Sequence, residues 1–522
     1  METYRTFLKN NYKIGILIII SALSALVAVE NIKISTDSMR YALISQQILS
    51  GNGIRIPLIE FDNIIPVDGT VPFLVQPPLM PILLAMLGGV APQSFLAAQI
   101  LNVICHVAIA IFTFLLMRNF CNKYIALLTG ILVSTSFPML YVTNHFISEP
   151  LFITLTVVAI YFLITSRDIK YQHNHRLILA GICASAAILT RYAGIALLVV
   201  FFWEAFILIK NKKLKSNYGH ILLAITIPLT TIVLLFARNY MILGTIEGIN
   251  LPKPERSYLD ALTGTIEMLF MQFQLGKNSI ILIILFMMLF IISIFINTTI
   301  RRELLKFFHS GLDLIIIFII SYTILISYTL ANQQPYFELR YVIPLVPFLF
   351  IISIFIIVFV WERIKFKRFS KLSLGGMILS LGIIAFGNSY KTHLNLPEFF
   401  YKNEKVYSIL QSCTYKWIKE NYGNDIIIAT NEPYRLSFFG GYSTIIFPNK
   451  KWIPNYPIPE NMEHLLPKRM SEVGAQVLAL FDGLKEQHYG SYLARLFNER
   501  KDYDKFTIAY ECPDGVVYHL KK

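Results

Sequence analysis

Residues 35–50 read STDSMRYALISQQILS, and they carry an acid and a base, Asp37 and Arg40, three positions apart. They follow the first apolar run, and their spacing predicts a short helix on the membrane surface with Ser35, Thr36 or Asp37 as its N-cap. Asp37 and Arg40 would then lie just outside the hydrocarbon. A helix cap with a local ion pair and a functional carboxylate are equally good interpretations of this pattern from the residue types alone.

The composition indicates a polytopic membrane protein. Of 522 residues, 55% are hydrophobic and 15% are charged, whereas a soluble protein carries about 25% charged residues. Apolar runs of about 17 residues or more can cross a bilayer, and they predict an α-helical polytopic membrane protein with about 11 transmembrane helices. The predicted spans are 13–29, 94–117, 124–142, 148–165, 176–190, 192–209, 219–240, 278–297, 311–331, 340–361 and 372–388.

Basic clusters between these spans predict the orientation. They are Arg118/Lys123, Arg167/Lys170/Arg176, Lys210/Lys212/Lys213/Lys215, Arg301/Arg302/Lys306 and Arg363/Lys365/Lys367/Arg368/Lys371. All fall on one side, which the positive-inside rule makes cytoplasmic, together with the N-terminus. The net charge of +14 is therefore interpreted as topology and attraction to lipid headgroups, with no nucleic-acid partner.

The last part of the chain changes character after residue 388. Short strand-like runs alternate with helical stretches at 462–473 and 486–500, which predicts a soluble α/β domain at 389–522. The strand candidates are Asp425–Thr430, Ser443–Phe447, Ala475–Phe481, Phe506–Tyr510 and Val516–Leu520. We therefore divide the chain into a transmembrane domain at 1–388, with a long external first loop at 30–92, and an extracytoplasmic domain at 389–522.

Two cysteines, Cys413 and Cys512, fall in this soluble domain. They could form a disulfide if the domain is external, but the sequence alone cannot establish the pair.

Several ionisable and aromatic residues fall at the predicted external ends of the spans. They are His145, Glu149, Arg191, Tyr192, Arg238, Arg340 and Tyr341. Each has a structural alternative, because an acid before a proline suits a helix N-terminus and a lone Arg can extend to headgroups. Two carboxylates and several Arg on one interface nevertheless favour a site for an anionic lipid-linked substrate.

A divalent metal is a further option at these positions. His145, Glu149, Asp37 and Asp62 carry suitable ligand atoms, but no spacing among them demands a metal site.

Seven different short motifs follow one another over about residues 10–360. They are Asp37-Ser-Met-Arg-Tyr-Ala, Leu49-Ser-Gly-Asn-Gly, Gln76-Pro-Pro-Leu, Ser148-Glu149-Pro-Leu, Leu189-Thr-Arg-Tyr, Arg238-Asn239 and Arg340-Tyr-Val-Ile-Pro. Together they resemble the GT-C class of membrane glycosyltransferases, in the group that contains the protein O-mannosyltransferases and the bacterial aminoarabinose transferase of lipid A.

The resemblance implies an inverting transfer of a sugar from a polyprenyl phosphate to an envelope acceptor on the external face of a bacterial inner membrane. Asp37 would act as general base, and Glu149 would bind the acceptor, the sugar or an ion. Arg191, with Arg40 and Arg340, would bind the donor phosphate. No cofactor is required by this chemistry, and the remaining site candidates are Tyr41, His145, Tyr192, Arg238 and Tyr341.

The sequence departs from the family's pattern in the first loop and in the second acidic motif. Gln76-Pro-Pro stands where the family has Lys-Pro-Pro, Asp37 is a single acid, and Glu149 replaces the more usual Asp. These differences leave the donor and acceptor open. Two other classes also stay open, a transporter of lipid-linked sugars and a non-catalytic envelope assembly protein.

Overall fold

The computed structural model describes ten stretches of the chain. They are residues 2–59, 68–167, 175–210, 214–243, 256–271, 311–332, 337–363, 407–447, 461–484 and 486–521. Contacts divide the chain into a helical unit, residues 1–32, 99–248 and 255–400, and a sheet unit, residues 33–98, 249–254 and 401–522.

The described helices, in chain order, are α1 (Glu2–Val29), α2 (Thr36–Leu49), α3 (Leu79–Met86), α4 (Leu96–Met117), α5 (Lys123–Thr135), α6 (Phe137–Asn144), α7 (Glu149–Ser166), α8 (His175–Thr190), α9 (Ala196–Lys210), α10 (Leu214–Leu243), α11 (Tyr258–Met271), α12 (Asp313–Asn332), α13 (Val346–Arg363), α14 (Cys413–Asn421), α15 (Pro433–Gly440), α16 (Met462–Glu472), α17 (Glu486–Tyr489) and α18 (Ser491–Glu499). Short 3-10 helices cover Tyr192–Ile195, Leu339–Tyr341, Ile343–Leu345 and Ser408–Gln411. The strands are β1 (Arg55–Ile56), β2 (Leu58–Ile59), β3 (Val71–Pro72), β4 (Ile427–Thr430), β5 (Ser443–Ile446), β6 (Val477–Phe481), β7 (Phe506–Cys512) and β8 (Gly515–Leu520).

Seven helical segments in the described residues are long and apolar enough to cross a membrane. They are Tyr12–Val29, Leu96–Met117, Glu149–Ser166, Tyr192–Lys210, Gly219–Ile242, Asp313–Asn332 and Leu339–Phe359. Each coincides with a predicted span. The chain is thus a multi-pass membrane protein, and the predicted spans 278–297 and 372–388 lie outside the described residues.

Two predicted spans differ from a simple crossing helix. The predicted span 124–142 is broken into α5 and α6, which are bent by 47°. Ser136 is extended at the break (ψ 145°), and Pro138 follows in the first turn of α6. A proline has no backbone N–H to donate to a carbonyl of the preceding turn, and its ring clashes with that turn. The helix therefore ends at the break and a new helix begins. The predicted span 176–190 forms α8, which has only 16 residues.

A buried ion-pair network joins three helices of the helical unit. Arg167, at the end of α7, donates from Nη1 to Asp313 Oδ1 at 2.7 Å and from Nε to Glu204 Oε2 at 2.8 Å. Trp203 Nε1 donates to Asp313 Oδ2 at 2.8 Å. Only 12% of the Arg167 side chain and 1% of the Glu204 side chain are exposed. Arg167 belongs to one of the basic clusters that predict the cytoplasmic side, and the structure gives it in addition a role in packing α7, α9 and α12.

The sheet unit is built on a six-stranded sheet of order β2-β5-β4-β6-β8-β7. The first four strands are parallel, and β8 and β7 are antiparallel additions. All five predicted strands of the C-terminal region form, and the helices predicted at 462–473 and 486–500 appear as α16 and as the pair α17 and α18.

The sheet also contains a strand from the first loop. Leu58 pairs with Thr444 and Ile59 with Ile445 in parallel register, so β2 is an edge strand of the C-terminal sheet. Our sequence-based division placed the first loop in the transmembrane domain and began the second domain at residue 389. The contacts instead group residues 33–98 with 401–522, because a short apolar strand gains its hydrogen-bond partners only in the sheet.

A disulfide joins α14 to the β7–β8 hairpin. Cys413 and Cys512 are bonded, with their Cα atoms 6.4 Å apart. Beside them Asp514 accepts hydrogen bonds from the Cys413 amide at 2.9 Å and the Thr414 hydroxyl at 2.8 Å. Burial alone would raise the pKa of Asp514, but these hydrogen bonds and one from Ser412 outweigh it and lower the pKa below its ordinary value.

Replacing Cys413 by Ser is expected to lower the free energy of unfolding of the sheet unit by about 2–5 kcal/mol, because the bond closes a long loop. The two cysteines are separated by 99 residues. Thermal unfolding in detergent measures the effect, with Cys183→Ala, which removes an unpaired cysteine, as control. Equal melting temperatures for the two variants would show that the disulfide does not hold the unit together.

Candidate functional site

Glu149 is the centre of a charged cluster in the helical unit. It is the first residue of α7 and precedes Pro150, an arrangement that suits a helix N-terminus. The Glu149 residue is 0% exposed, so its carboxylate needs partners. Its Oε1 accepts from Arg191, while Oε2 has no hydrogen-bond partner among the described residues.

Arg191 is placed by a break between two helices. It separates α8 from the 3-10 helix Tyr192–Ile195 and has an extended backbone, with φ −151° and ψ 137°. Its Nη1 donates to Glu149 Oε1 at 2.6 Å and to Ser148 Oγ at 3.3 Å. The Arg191 side chain is 20% exposed. The guanidinium is thus fixed from one side by α7.

The break depends on Gly194. A Cβ added there would lie 2.7 Å from the Ile188 amide nitrogen and 2.9 Å from the Ala187 carbonyl carbon. These are backbone atoms, so the 3-10 helix could make room only by moving away from α8. Gly194 therefore sets the position from which Arg191 reaches Glu149.

Gly194→Ala is expected to destabilise the protein by about 1–3 kcal/mol, the usual cost of overpacking. Gly219→Ala is the matched control, since Gly219 lies in α10 and a Cβ there meets nothing within 4 Å. Thermal unfolding of both variants in detergent measures the difference. Equal melting temperatures would contradict the packing argument.

A second arginine completes the cluster. Arg340 Nε lies 3.8 Å from Glu149 Oε1 and also forms an ion pair with Glu338. The centre of the Tyr341 ring lies 5.4 Å from Arg340 Cζ and 6.0 Å from Arg191 Cζ. Two cations, one buried carboxylate and an aromatic ring therefore lie close together at this point.

The other predicted residues of the helical unit have different partners. His145 Nδ1 lies 2.7 Å from the Tyr141 carbonyl oxygen, and the two rings pack 4.2 Å apart. Tyr192 Oη accepts from Asn239 Nδ2 at 3.0 Å. Arg238 is half-buried in the last turns of α10. The structure shows no ion pair of His145 or Arg238 with Glu149 in the part of the chain that it describes.

In the sheet unit, Asp37 is not the helix cap. Ser35 caps α2, with its hydroxyl accepting from the Ser38 amide and Ser38 Oγ accepting from the Ser35 amide. Asp37 lies in the first turn with 16% of its side chain exposed. Its Oδ1 accepts from Gln76 Nε2 at 3.2 Å and lies 3.5 Å from Arg40 Nη1. Ser35 therefore has the capping role that was one interpretation of Asp37, while the local ion pair of Asp37 with Arg40 is present.

Arg40 and Tyr41, which are neighbours in α2, have different surroundings. Arg40 Nη2 donates to Tyr434 Oη at 2.5 Å, and its guanidinium lies 5.1 Å from the centre of the same ring. Tyr41 is 2% exposed and belongs to the core. Seven residues of α2 are buried, so the helix packs inside protein and does not simply lie on a membrane surface as we had expected.

Two functional candidates could not be recognised in the sequence: Tyr434, and Gln76 as a partner of Asp37. Gln76 was noted only as a departure from the family pattern. No sequence signal links Tyr434 to Arg40, since they are 394 positions apart.

The described residues contain one group of three potential metal ligands close together, Cys413, Cys512 and Asp514. Both sulfur atoms of this group are already joined to each other, so it does not fit a metal. Asp62 lies outside the described residues.

The fold is that of the GT-C class of membrane glycosyltransferases, which confirms the resemblance inferred from the sequence motifs. Residues 75–236 match the family "Dolichyl-phosphate-mannose-protein mannosyltransferase". A search of curated proteins gave no match.

Solved structures match over nearly the whole chain. The chain is similar to ArnT from Cupriavidus metallidurans in the apo state, with a TM-score of 0.58, 11% identity and 97% of each chain covered. The same protein bound to undecaprenyl phosphate gives a TM-score of 0.57, 11% identity and 98% coverage of each chain. The oligosaccharyltransferase AglB from Archaeoglobus fulgidus, in complex with an inhibitory peptide and a dolichol-phosphate, gives 0.51 with 13% identity, over 91% of this chain and 70% of that one.

Proposed function

We propose that the protein is an inverting glycosyltransferase that moves a sugar from a polyprenyl-phosphate donor to an envelope acceptor. The observation that carries this proposal is the pair Arg191 and Arg340 around the buried Glu149 carboxylate in a GT-C fold. Two guanidinium groups suit a phosphate, because each can donate two parallel hydrogen bonds to its oxygens. The structural neighbours bound to undecaprenyl phosphate and dolichol-phosphate support the same donor class.

The reaction is a single displacement. The acceptor oxygen attacks the anomeric carbon, the bond from that carbon to the phosphate oxygen breaks, and polyprenyl phosphate leaves with the bonding electrons. The acceptor proton passes to a general base, the role that the resemblance of the first-loop motif gives to Asp37. The leaving group is already a stable anion and needs no general acid, so positive charge at Arg191 and Arg340 is the main contribution of the protein to its departure. One displacement inverts the configuration of the sugar.

The remaining residues take supporting roles in the proposal. Oε2 of Glu149 has no hydrogen-bond partner among the described residues and would accept from a hydroxyl of the sugar or acceptor, or bind a divalent ion, while Oε1 holds Arg191. Arg40 holds Asp37 and adds positive charge. The acceptor would be lipid A, another glycan or lipid, or a protein Ser/Thr. No cofactor is needed for this step.

The proposed location is the inner membrane of a bacterium, with the N-terminus cytoplasmic and the sheet unit external. The Cys413–Cys512 disulfide supports this orientation, since such bonds persist in oxidising compartments outside the cytosol.

Membranes containing the protein, incubated with a radiolabelled polyprenyl-phosphate sugar, test the proposal. We expect label to enter an envelope fraction, and the fraction that acquires it identifies the acceptor class. Membranes without the protein are the control. Failure to transfer any of several sugars, with lipid-linked sugar changing sides instead, would replace the proposal by a transporter.

A further inference from the structure

The C-terminal part of the chain contacts α2, the helix that carries Asp37 and Arg40, directly. Within the sheet unit, the first turn of α15 carries Tyr434, and its hydroxyl accepts from Arg40 Nη2 at 2.5 Å. The same ring lies under the Arg40 guanidinium at 5.1 Å. A tyrosine can supply both contacts at once, since its hydroxyl accepts a hydrogen bond and its ring attracts a cation.

The contact is not an isolated one. The segment that follows α2 enters the C-terminal sheet as β2, where the Thr444 amide donates to the Pro57 carbonyl at 2.9 Å. Ser437 of α15 hydrogen-bonds Thr444 Oγ1 of the same strand at 2.8 Å and donates to the Pro57 carbonyl at 3.4 Å. Helices α2 and α15 are therefore attached to adjoining strands of one sheet, which fixes Arg40 and Tyr434 relative to each other.

Arg40 in turn faces Asp37. The two side chains are 19% and 16% exposed and their charged atoms lie 3.5 Å apart. A flexible arginine on a helix surface loses much of its side-chain entropy when it is held at one carboxylate. Tyr434 supplies the second anchor that selects this rotamer. Gln76 holds the same carboxylate from the first loop.

We propose that Tyr434 is a positioning residue for sugar transfer: it orients Arg40 so that Arg40 holds the Asp37 carboxylate, and the C-terminal region thereby fixes the side chains of the first turns of α2. This inference rests on the proposed function for its catalytic consequence. If Tyr434 has this role, the C-terminal region contributes to sugar transfer, although no motif within residues 389–522 indicates a function.

The first test compares three variants in the transfer assay. Tyr434→Phe keeps the ring and loses the hydroxyl, and we expect kcat to fall about tenfold with KM for the donor little changed, since a hydrogen bond to a charged group is lost. Tyr434→Leu loses both contacts and should fall further. Tyr415→Phe is the matched control, because its hydroxyl donates to the Phe439 carbonyl of the same helix α15 and not to Arg40.

A double-mutant cycle separates positioning from general damage to the fold. If Tyr434 acts through Arg40, Arg40→Gln combined with Tyr434→Phe should be no slower than Arg40→Gln alone. Losses that multiply would show that Tyr434 acts independently, and an unchanged kcat in Tyr434→Phe would overturn the inference while leaving the transferase intact.

The rate of chemical modification of Arg40 tests the contact with Tyr434 even if the wild type shows no sugar transfer. Phenylglyoxal modifies accessible arginines, and mass spectrometry can follow the peptide that contains Arg40. We expect Arg40 to react several times faster in Tyr434→Phe than in the wild type or in Tyr415→Phe. Equal rates in all three proteins would mean that Tyr434 does not hold Arg40, whatever reaction the protein performs.

Discussion

Asp37→Asn is expected to slow sugar transfer by about 10²- to 10⁴-fold, the range that a positioned general base contributes. The substitution keeps the size of the side chain and an oxygen that can accept from Gln76 Nε2, which lies 3.2 Å from Asp37 Oδ1. It removes the negative charge that would take the acceptor proton and that pairs with Arg40. Initial rates in membranes with matched protein levels measure the effect.

The structural alternative for Asp37 makes a different prediction. Ser35 already caps α2 through its hydroxyl and its amide, so losing the Asp37 charge should cost the helix little. Asp425→Asn, an exposed acid in the same unit, is the control and should transfer at the wild-type rate. Transfer by Asp37→Asn at that rate would remove Asp37 from the catalytic machinery.

Arg167→Leu is expected to destabilise the helical unit by about 3–5 kcal/mol, because breaking a buried ion pair from one side leaves the other charge uncompensated. Here two carboxylates would be left, Glu204 with 1% and Asp313 with 9% of the side chain exposed. Thermal unfolding in detergent measures the loss, which should also appear as a lower yield of folded protein.

Two further variants make the Arg167 result specific. Arg118→Leu removes an exposed arginine that the sequence analysis also assigned to a cytoplasmic basic cluster, and it should change stability by less than about 0.5 kcal/mol. Adding Glu204→Gln and Asp313→Asn to Arg167→Leu should recover much of the loss, because no buried charge then remains. Equal melting temperatures for the wild type and Arg167→Leu would show that the network does not hold α7, α9 and α12 together.

Hydropathy predicted most of the spans because the lipid core demands long, internally hydrogen-bonded apolar helices. The bend at Ser136 was missed because an apolar run still counts as one span when a proline such as Pro138 interrupts it. The C-terminal strands were predicted because each is a short apolar run between turn residues. Strand β2 was missed, since Leu58-Ile59 is too short to signal a strand and is ordered only by pairing with β5.

For the candidate site, three of the residues named from the sequence, Glu149, Arg191 and Arg340, lie together, but their pairing could not be predicted. Glu149, Arg191 and Arg340 could be named because charged residues at span ends are costly and rarely accidental. That Glu149 holds both arginines depends on helix packing, including the close approach at Gly194. The pairs Arg40–Tyr434 and Arg167–Asp313 join residues from distant parts of the chain, so no local pattern contains them.

The most direct test of the central claim uses the purified protein in liposomes with a doubly labelled donor, one label on the sugar and one on the polyprenyl chain, plus an envelope extract as acceptor. The proposed reaction breaks the bond between the sugar and the phosphate, so we predict one polyprenyl phosphate released for each sugar that enters the acceptor. If both labels stay on one molecule and only its side of the bilayer changes, the protein is a transporter and the transferase account is wrong.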